Sequence, residues 1–132
     1  MSSPHCRIFF VHFGMDIKEI QNRLAKFADE RDWEQFHNPK NLAMALSGEV
    51  GELSEIFQWL SEEQSKKENI SDEDLAKARE EVADILLYIF RLSDKLDIDL
   101  EQAVLDKLKI NEGKYPIELS KGNATKYNRR DE

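Results

Sequence analysis

The sequence predicts an all-α protein, and three observations support this fold class. Only five Gly and three Pro occur among 132 residues, and both residue types are unfavourable inside helices. Apolar residues recur every three or four positions in four separate segments, which is the spacing of an amphipathic helix. Residues that favour helix N-caps precede these segments. An all-β sandwich is therefore not expected.

The first two helices have clear start signals. The first is predicted over residues 16–32, with Asp16 as its N-cap and a stripe of apolar side chains along one face. The second is predicted over residues 38–61, where Asn38 is the N-cap and Pro39 lies in the first turn. A proline is tolerated there because the first backbone N–H groups of a helix have no partner within the helix.

The last two helices also begin at capping residues. The Ser-Asp-Glu-Asp sequence that starts at Ser71 resembles a capping box and opens a third helix over 71–96. A tight connection leads to Asp99, which caps a fourth helix over 100–115, and Pro116 ends that helix.

We expect three parts along the chain. Residues 1–14 are predicted to be a non-essential leader, 15–116 an all-α domain and 117–132 a polar C-terminal tail without regular structure. No stretch approaches the ~20 apolar residues of a membrane span. The nearest, residues 6–13, is short and contains Arg7. No membrane partner is therefore expected.

Charge and cysteine content narrow the function. The chain has 27 acidic and 19 basic residues and a formal net charge of −8, which disfavours a protein that binds nucleic-acid polymers. A nucleotide site remains compatible, because a metal ion can invert the local charge. The single cysteine, Cys6, excludes an intrachain disulfide and a multi-cysteine zinc site. It indicates a reducing compartment such as the cytoplasm.

Two pairs of carboxylates carry most of the functional information. Glu49 and Glu52 lie in the second predicted helix, and Glu81 and Asp84 in the third. Residues three apart are neighbours on one helix face. At about 100° per residue, all four fall inside or at the edge of the apolar faces by which the two helices should pack. Arg91 is predicted to point well away from that contact.

Such carboxylates need neutralisation. A buried, unpaired carboxylate is costly, and several close together repel one another. Protons or cations must compensate, and a hard divalent cation such as Mg²⁺ prefers oxygen ligands. The alternative is that these residues are solvated charges at the helix edges. Gly48 and Gly51, inside the same helix, indicate either close approach of a backbone or ligand or ordinary helix packing.

These residues also carry a family resemblance. Residues 49–55 (EVGELSE) and 80–88 (EEVADILLY) resemble the E-x-x-E and E-x-x-D signature of MazG-like all-α nucleoside triphosphate pyrophosphatases. The likeness covers about residues 16–116. Three further segments are similar to the dCTP pyrophosphatase branch of this family: 30–42, 57–59 and 109–116.

The resemblance implies a MazG-like four-helix bundle protomer that assembles into dimers and tetramers with shared active sites. It implies Mg²⁺-dependent hydrolysis of a deoxynucleoside triphosphate, with dCTP and 5-modified dCTP expected, to the monophosphate and pyrophosphate, as nucleotide-pool sanitation. Four residues would be catalytic and hold the metal: Glu49, Glu52, Glu81 and Asp84. Four would form the base and sugar pocket: Trp33, His37, Trp59 and Tyr88. Four would meet the phosphates: Lys107, Asn111, Lys114 and Tyr115.

The implied chemistry agrees with the acidic site. A triphosphate can bind among carboxylates only through cations, which also activate a water for attack on the α-phosphorus. Glu52 is the residue expected to orient this water. Trp33 and Trp59 are expected to stack on a pyrimidine, with core packing as the alternative for both.

Other functions remain open. A pyrophosphatase directed at dUTP or at several nucleotides fits the same motifs. Leu24 weakens the expected preference for cytosine, because the vertebrate dCTP enzymes, as aligned on these motifs, carry a histidine of the base pocket at this position. A non-catalytic helical interaction module would show no metal dependence. A di-iron site is disfavoured because it needs Glu-x-x-His pairs, whereas the three histidines lie off the acidic helices.

Overall fold

The computed structural model describes residues 14–130. These residues form α-helices and two short 3₁₀ turns, Glu34–Phe36 and Tyr127–Arg129, and they contain no β-strand, which confirms the all-α class. The predicted leader lies outside the described residues except for Gly14. The helices are α1 (Ile17–Glu30), α2 (Pro39–Phe57), α3 (Asp72–Lys95), α4 (Leu100–Lys114) and α5 (Ile117–Ser120).

The predicted N-caps of the four long helices are confirmed. Asp16, Asn38, Ser71 and Asp99 precede α1 to α4, and each side chain accepts a hydrogen bond from the backbone N–H three residues later at 2.9–3.1 Å. Each cap satisfies a backbone donor that the helix cannot, which contributes about 1 kcal/mol relative to alanine. The start of each long helix is therefore determined by local sequence.

The structure differs from the prediction at the end of α2 and in the C-terminal tail. Helix α2 ends at Phe57 rather than near Ser61. Ser61 and Gln64 exchange two hydrogen bonds, from each backbone N–H to the other side chain at 2.9 and 3.1 Å, which favour a turn over a further helical turn. The C-terminal tail is also not wholly irregular, because α5 and the second 3₁₀ turn lie within it.

The described chain divides into two compact units on either side of the Asp97–Ile98 boundary. In the first, α2 packs against α3, and α1 packs against α3 and the first 3₁₀ turn. Gln21 is buried in this unit and its Nε2 donates to the carbonyl of Phe90 at 3.0 Å. Neither unit contains four long helices, so the predicted four-helix bundle is not confirmed. The buried apolar side chains are Ala28, Leu42, Ala78 and Phe90.

The second unit contains α4, α5 and the last 3₁₀ turn. Tyr115 and Tyr127 meet edge to face with 6.0 Å between ring centroids. Arg130 lies over the Tyr115 ring and donates to the hydroxyl of Ser120. In the part of the chain that the structure describes, no helix is long and apolar enough to cross a membrane.

Candidate active site

Three of the four predicted metal ligands come together. Glu49 and Glu52 lie one turn apart on α2, and Glu81 lies on α3, which packs against α2. One carboxylate oxygen of each residue lies within 4.8 Å of the other two. We call these three residues the carboxylate cluster. An arrangement of three oxygen donors at this separation could hold a divalent metal ion.

Asp84 lies outside this cluster. It follows Glu81 by one turn on α3, is partly buried and lines a neighbouring cavity. Tyr88, one further turn along, lines the same cavity. Burial, followed by the charges of Glu49 and Asp84, raises the pKa of the Tyr88 hydroxyl. Tyr88 therefore lines the cavity and lies within electrostatic range of Glu49, a member of the carboxylate cluster.

The carboxylate cluster is electrostatically unsatisfied. The Oε2 atoms of Glu49 and Glu81 are buried and have no hydrogen-bond partner among the described residues. The hydrogen bond that a protonated Glu81 would make to Glu49, loss of hydration and the neighbouring Glu52 carboxylate raise the pKa of Glu81 to about 7. Either a proton or a cation between Glu49 and Glu81 would remove this repulsion.

The two glycines of α2 do not serve packing against the other described residues. A Cβ added to Gly48 or Gly51 would meet no atom within 4 Å in the described structure. Packing between the helices that the structure describes therefore accounts for neither residue. Each glycine is nevertheless less favourable than alanine by about 1 kcal/mol in a helix interior.

A cavity of about 640 Å³ lies in the first unit. Leu24 and Phe27 of α1 form one side, and Trp33 and His37 of the following segment form another. Trp33 contacts Phe27 edge to face at 5.6 Å, and its ring centroid is 6.3 Å from that of His37. An apolar cavity with a few polar groups is typical of a small-molecule site. Three of the four residues expected in a base pocket line it: Trp33, His37 and Tyr88.

The remaining predicted residues lie elsewhere. Trp59 follows the end of α2, is 86% exposed and is not part of the cavity wall. Lys107, Asn111 and Lys114 are spaced four and three residues apart on α4, and so share one face of that helix. Tyr115 is the C-cap of α4. The predicted roles of these residues in binding stay predictions.

The burial of Arg91 was not predicted from the sequence. It is only 5% exposed, lines the cavity and forms an ion pair with Glu34. Arg91 points away from the contact between α2 and α3, as expected, but it faces the segment between α1 and α2, which buries it. The available signal was a lone arginine in the otherwise apolar run Ile-Phe-Arg-Leu at 89–92. Arg23 of α1 also lines the cavity and was not predicted.

This chain is similar to a solved structure and to curated proteins that are named pyrophosphatases. A crystal structure of a pyrophosphatase from Archaeoglobus fulgidus superposes with a TM-score of 0.70 at 39% identity, covering 80% of this chain and 96% of that one. A protein of Bos taurus named dCTP pyrophosphatase 1 is 48% identical over 84% of this chain and 66% of its own length. The Mus musculus protein of the same name is 45% identical, over 84% and 65%.

The chain thus spans about 65% of the length of the curated relatives that it matches. The model of the MazG-like family matches residues 44–129, a range that includes both acidic pairs. The carboxylate cluster, the all-helical architecture and these matches agree, and the chain belongs to the MazG-like family.

Proposed function

We propose that this protein is a Mg²⁺-dependent pyrophosphatase that hydrolyses deoxynucleoside triphosphates to the monophosphate and pyrophosphate. We propose dCTP and 5-modified dCTP as the main substrates, and nucleotide-pool sanitation in the cytoplasm as the role. The observation that carries this proposal is the carboxylate cluster beside a cavity lined by Trp33, His37 and Tyr88. The names of the curated relatives support the substrate class.

The residues present fit a magnesium ion. The carboxylate cluster supplies hard oxygen donors, and the buried oxygens of Glu49 and Glu81 need a cation or a proton. Glu49, Glu52, Glu81 and Asp84 would hold the metal, with Asp84 one turn along α3 from Glu81. When bound, Mg²⁺ neutralises phosphate charge and lowers the pKa of a water molecule.

The side chains of the protein bind the nucleotide and orient the attacking water. Glu52, the exposed member of the carboxylate cluster, directs a water toward the α-phosphorus, and pyrophosphate leaves without a protein nucleophile. Trp33 and Tyr88, which both line the cavity, are proposed to contact the base and the sugar. Four residues of the second unit are proposed to contact the phosphates: Lys107, Asn111, Lys114 and Tyr115.

We also propose a homotetramer with active sites shared between subunits. Trp59 is 86% exposed, and the α4 side chains Val104, Leu108 and Ile110 are 51–55% exposed. Apolar exposure on this scale favours contact with another protein surface. Light scattering at micromolar concentration should give the mass of a tetramer. A stable, active monomer would contradict the assembly.

The activity is tested by incubating the full chain with a panel of dNTPs, with Mg²⁺ or with EDTA, and by separating the products chromatographically. We expect dCMP and pyrophosphate from dCTP, faster turnover of dCTP than of dATP or dGTP, and 5-methyl-dCTP at a comparable rate. Equal efficiency on all bases, or a preference for dUTP, would favour the broader enzyme. Absence of turnover with Mg²⁺ would favour a non-catalytic interaction module.

A further inference from the structure

Arg91 donates a hydrogen bond to His37, a residue of the cavity wall. Its Nε–H donates to Nδ1 of His37 at 3.2 Å. The guanidinium also donates to the carboxylate of Glu34 and lies 3.8 Å from that of Asp94. The side chain of Arg91 is 6% exposed, so the guanidinium itself is shielded from water, whereas the Glu34 side chain is 54% exposed.

Glu34 is held from a second direction. Lys95, at the end of α3, forms an ion pair with the same carboxylate. Glu34 begins the 3₁₀ turn directly after Trp33. Two basic residues of α3 therefore tie this turn, and the cavity residues Trp33 and His37 at its two ends, to the helix.

The contact determines which nitrogen of His37 carries the hydrogen. A guanidinium has only donors and stays protonated in proteins. Nδ1 of His37 must therefore offer its lone pair. Burial, followed by the charge of Arg91, lowers the pKa of His37. The neutral imidazole thus carries its hydrogen on Nε2, the only ring nitrogen left for a ligand in the cavity.

We propose that Arg91 is a specificity-determining positioning residue, which holds His37 as an Nε2–H donor and thereby favours cytosine over uracil in the cavity. The inference rests on the proposed function. Ring nitrogen N3 is a hydrogen-bond acceptor in cytosine, whereas in uracil the same atom carries a hydrogen. The Nε2–H of His37 can donate to N3 of cytosine. Against uracil it meets the N3–H group, so two donors face each other and both are left unpaired.

Two substitutions of Arg91 separate this role from a structural one. Arg91→Lys keeps a side chain that can only donate, so His37 keeps its tautomer. Arg91→Gln places an amide there, which can donate or accept, so His37 can carry its hydrogen on either nitrogen. Both variants are compared with the wild type for kcat and KM on dCTP and dUTP, and dUTP is also tested as a competitive inhibitor of dCTP hydrolysis.

In Arg91→Gln we expect the ratio of kcat/KM for dCTP to that for dUTP to fall about tenfold, the effect of one hydrogen bond. The change should lie mainly in KM, and the efficiency on dUTP should rise. Arg91→Lys should keep the wild-type ratio within about threefold. A parallel loss on both nucleotides in Arg91→Gln, with the ratio unchanged, would overturn the inference and leave Arg91 a structural residue.

The tautomer can be read without substrate. ¹⁵N NMR of the histidine rings, assigned with His37→Gln, should show a hydrogen on Nε2 of His37 in the wild type and a mixture in Arg91→Gln. A hydrogen on Nδ1 in the wild type would overturn the inference even in an active enzyme. Absence of dNTP hydrolysis by the wild type would instead remove the proposed function, so the two failures are distinguishable.

Discussion

Glu49 and Glu81, on two helices that pack against each other, each bury one carboxylate oxygen for which the described residues offer no hydrogen-bond donor. Two such oxygens side by side destabilise the protein when both residues are ionised. A cation between them removes the repulsion and gains oxygen ligands. The same pair therefore links stability to ligand binding.

The first prediction follows from this link. Mg²⁺ should raise the melting temperature of the metal-free protein, because it binds the folded state and not the unfolded chain. Glu49→Gln should lose both this rise and the turnover of dCTP while keeping its helical circular dichroism. Glu55→Gln, at an exposed position of the same helix, is the matched control and should behave as wild type. Full activity of Glu49→Gln would refute the assignment of the metal site.

The second prediction concerns pH in the absence of metal. The folded-state pKa of Glu81 is about 7, above its ordinary 4.5. The folded protein therefore binds more protons than the unfolded chain in this interval, and the free energy of unfolding should fall as pH rises from 4.5 through 7. Burial lowers the pKa of His37 below its ordinary 6.5. The unfolded chain therefore binds more protons at this residue, so the His37 contribution to the free energy of unfolding is lost as pH falls through 6.5, opposite to the effect of Glu81.

The contribution of Glu81 is isolated by comparing the wild type with Glu81→Gln. Urea denaturation in EDTA at several pH values between 4.5 and 8 gives the free energy of unfolding of each protein. The variant should lack the decline that Glu81 causes, while the effect of His37 is common to both. Identical pH profiles would show that Glu81 keeps an ordinary pKa in the folded protein.

The third prediction concerns the core beside the cavity. Leu42 is 2% exposed and forms part of the cavity wall. Leu42→Ala should lower the free energy of unfolding by about 2–5 kcal/mol, because buried methyl groups are lost and the space refills only in part. Met44→Ala, at a position 66% exposed, should change it by less than about 0.5 kcal/mol. Chemical denaturation measures both, and equal effects would place the core elsewhere.

The fourth prediction compares the two tryptophans. Trp33 lines the cavity in a single chain, so Trp33→Ala should raise KM for dCTP more than it lowers kcat, since stacking stabilises substrate and transition state alike. The expected loss of binding is about 1–3 kcal/mol. Trp59→Ala should also raise KM, because the proposed shared site brings this exposed indole to a substrate of a neighbouring subunit. An unchanged KM in Trp59→Ala would remove Trp59 from the site and leave Trp33 in it.

Local sequence determined much of this protein. The N-caps at Asp16, Asn38, Ser71 and Asp99 were predictable because a cap depends on a side chain and a backbone N–H three residues away. The meeting of Glu49 and Glu52 with Glu81 was also predictable. Helical periodicity places these residues on the apolar faces of consecutive helices, and such faces pack together.

Tertiary structure decided the rest. It placed Asp84 on the cavity side of the carboxylate cluster, left Trp59 exposed, and buried Arg91 against Glu34 and His37. Periodicity identifies the apolar face of one helix, but it does not say which further element packs beside that face. Arg91 could be buried only because a segment distant in sequence supplied both a carboxylate and an imidazole lone pair for its donors, and only the packed structure brings these groups together.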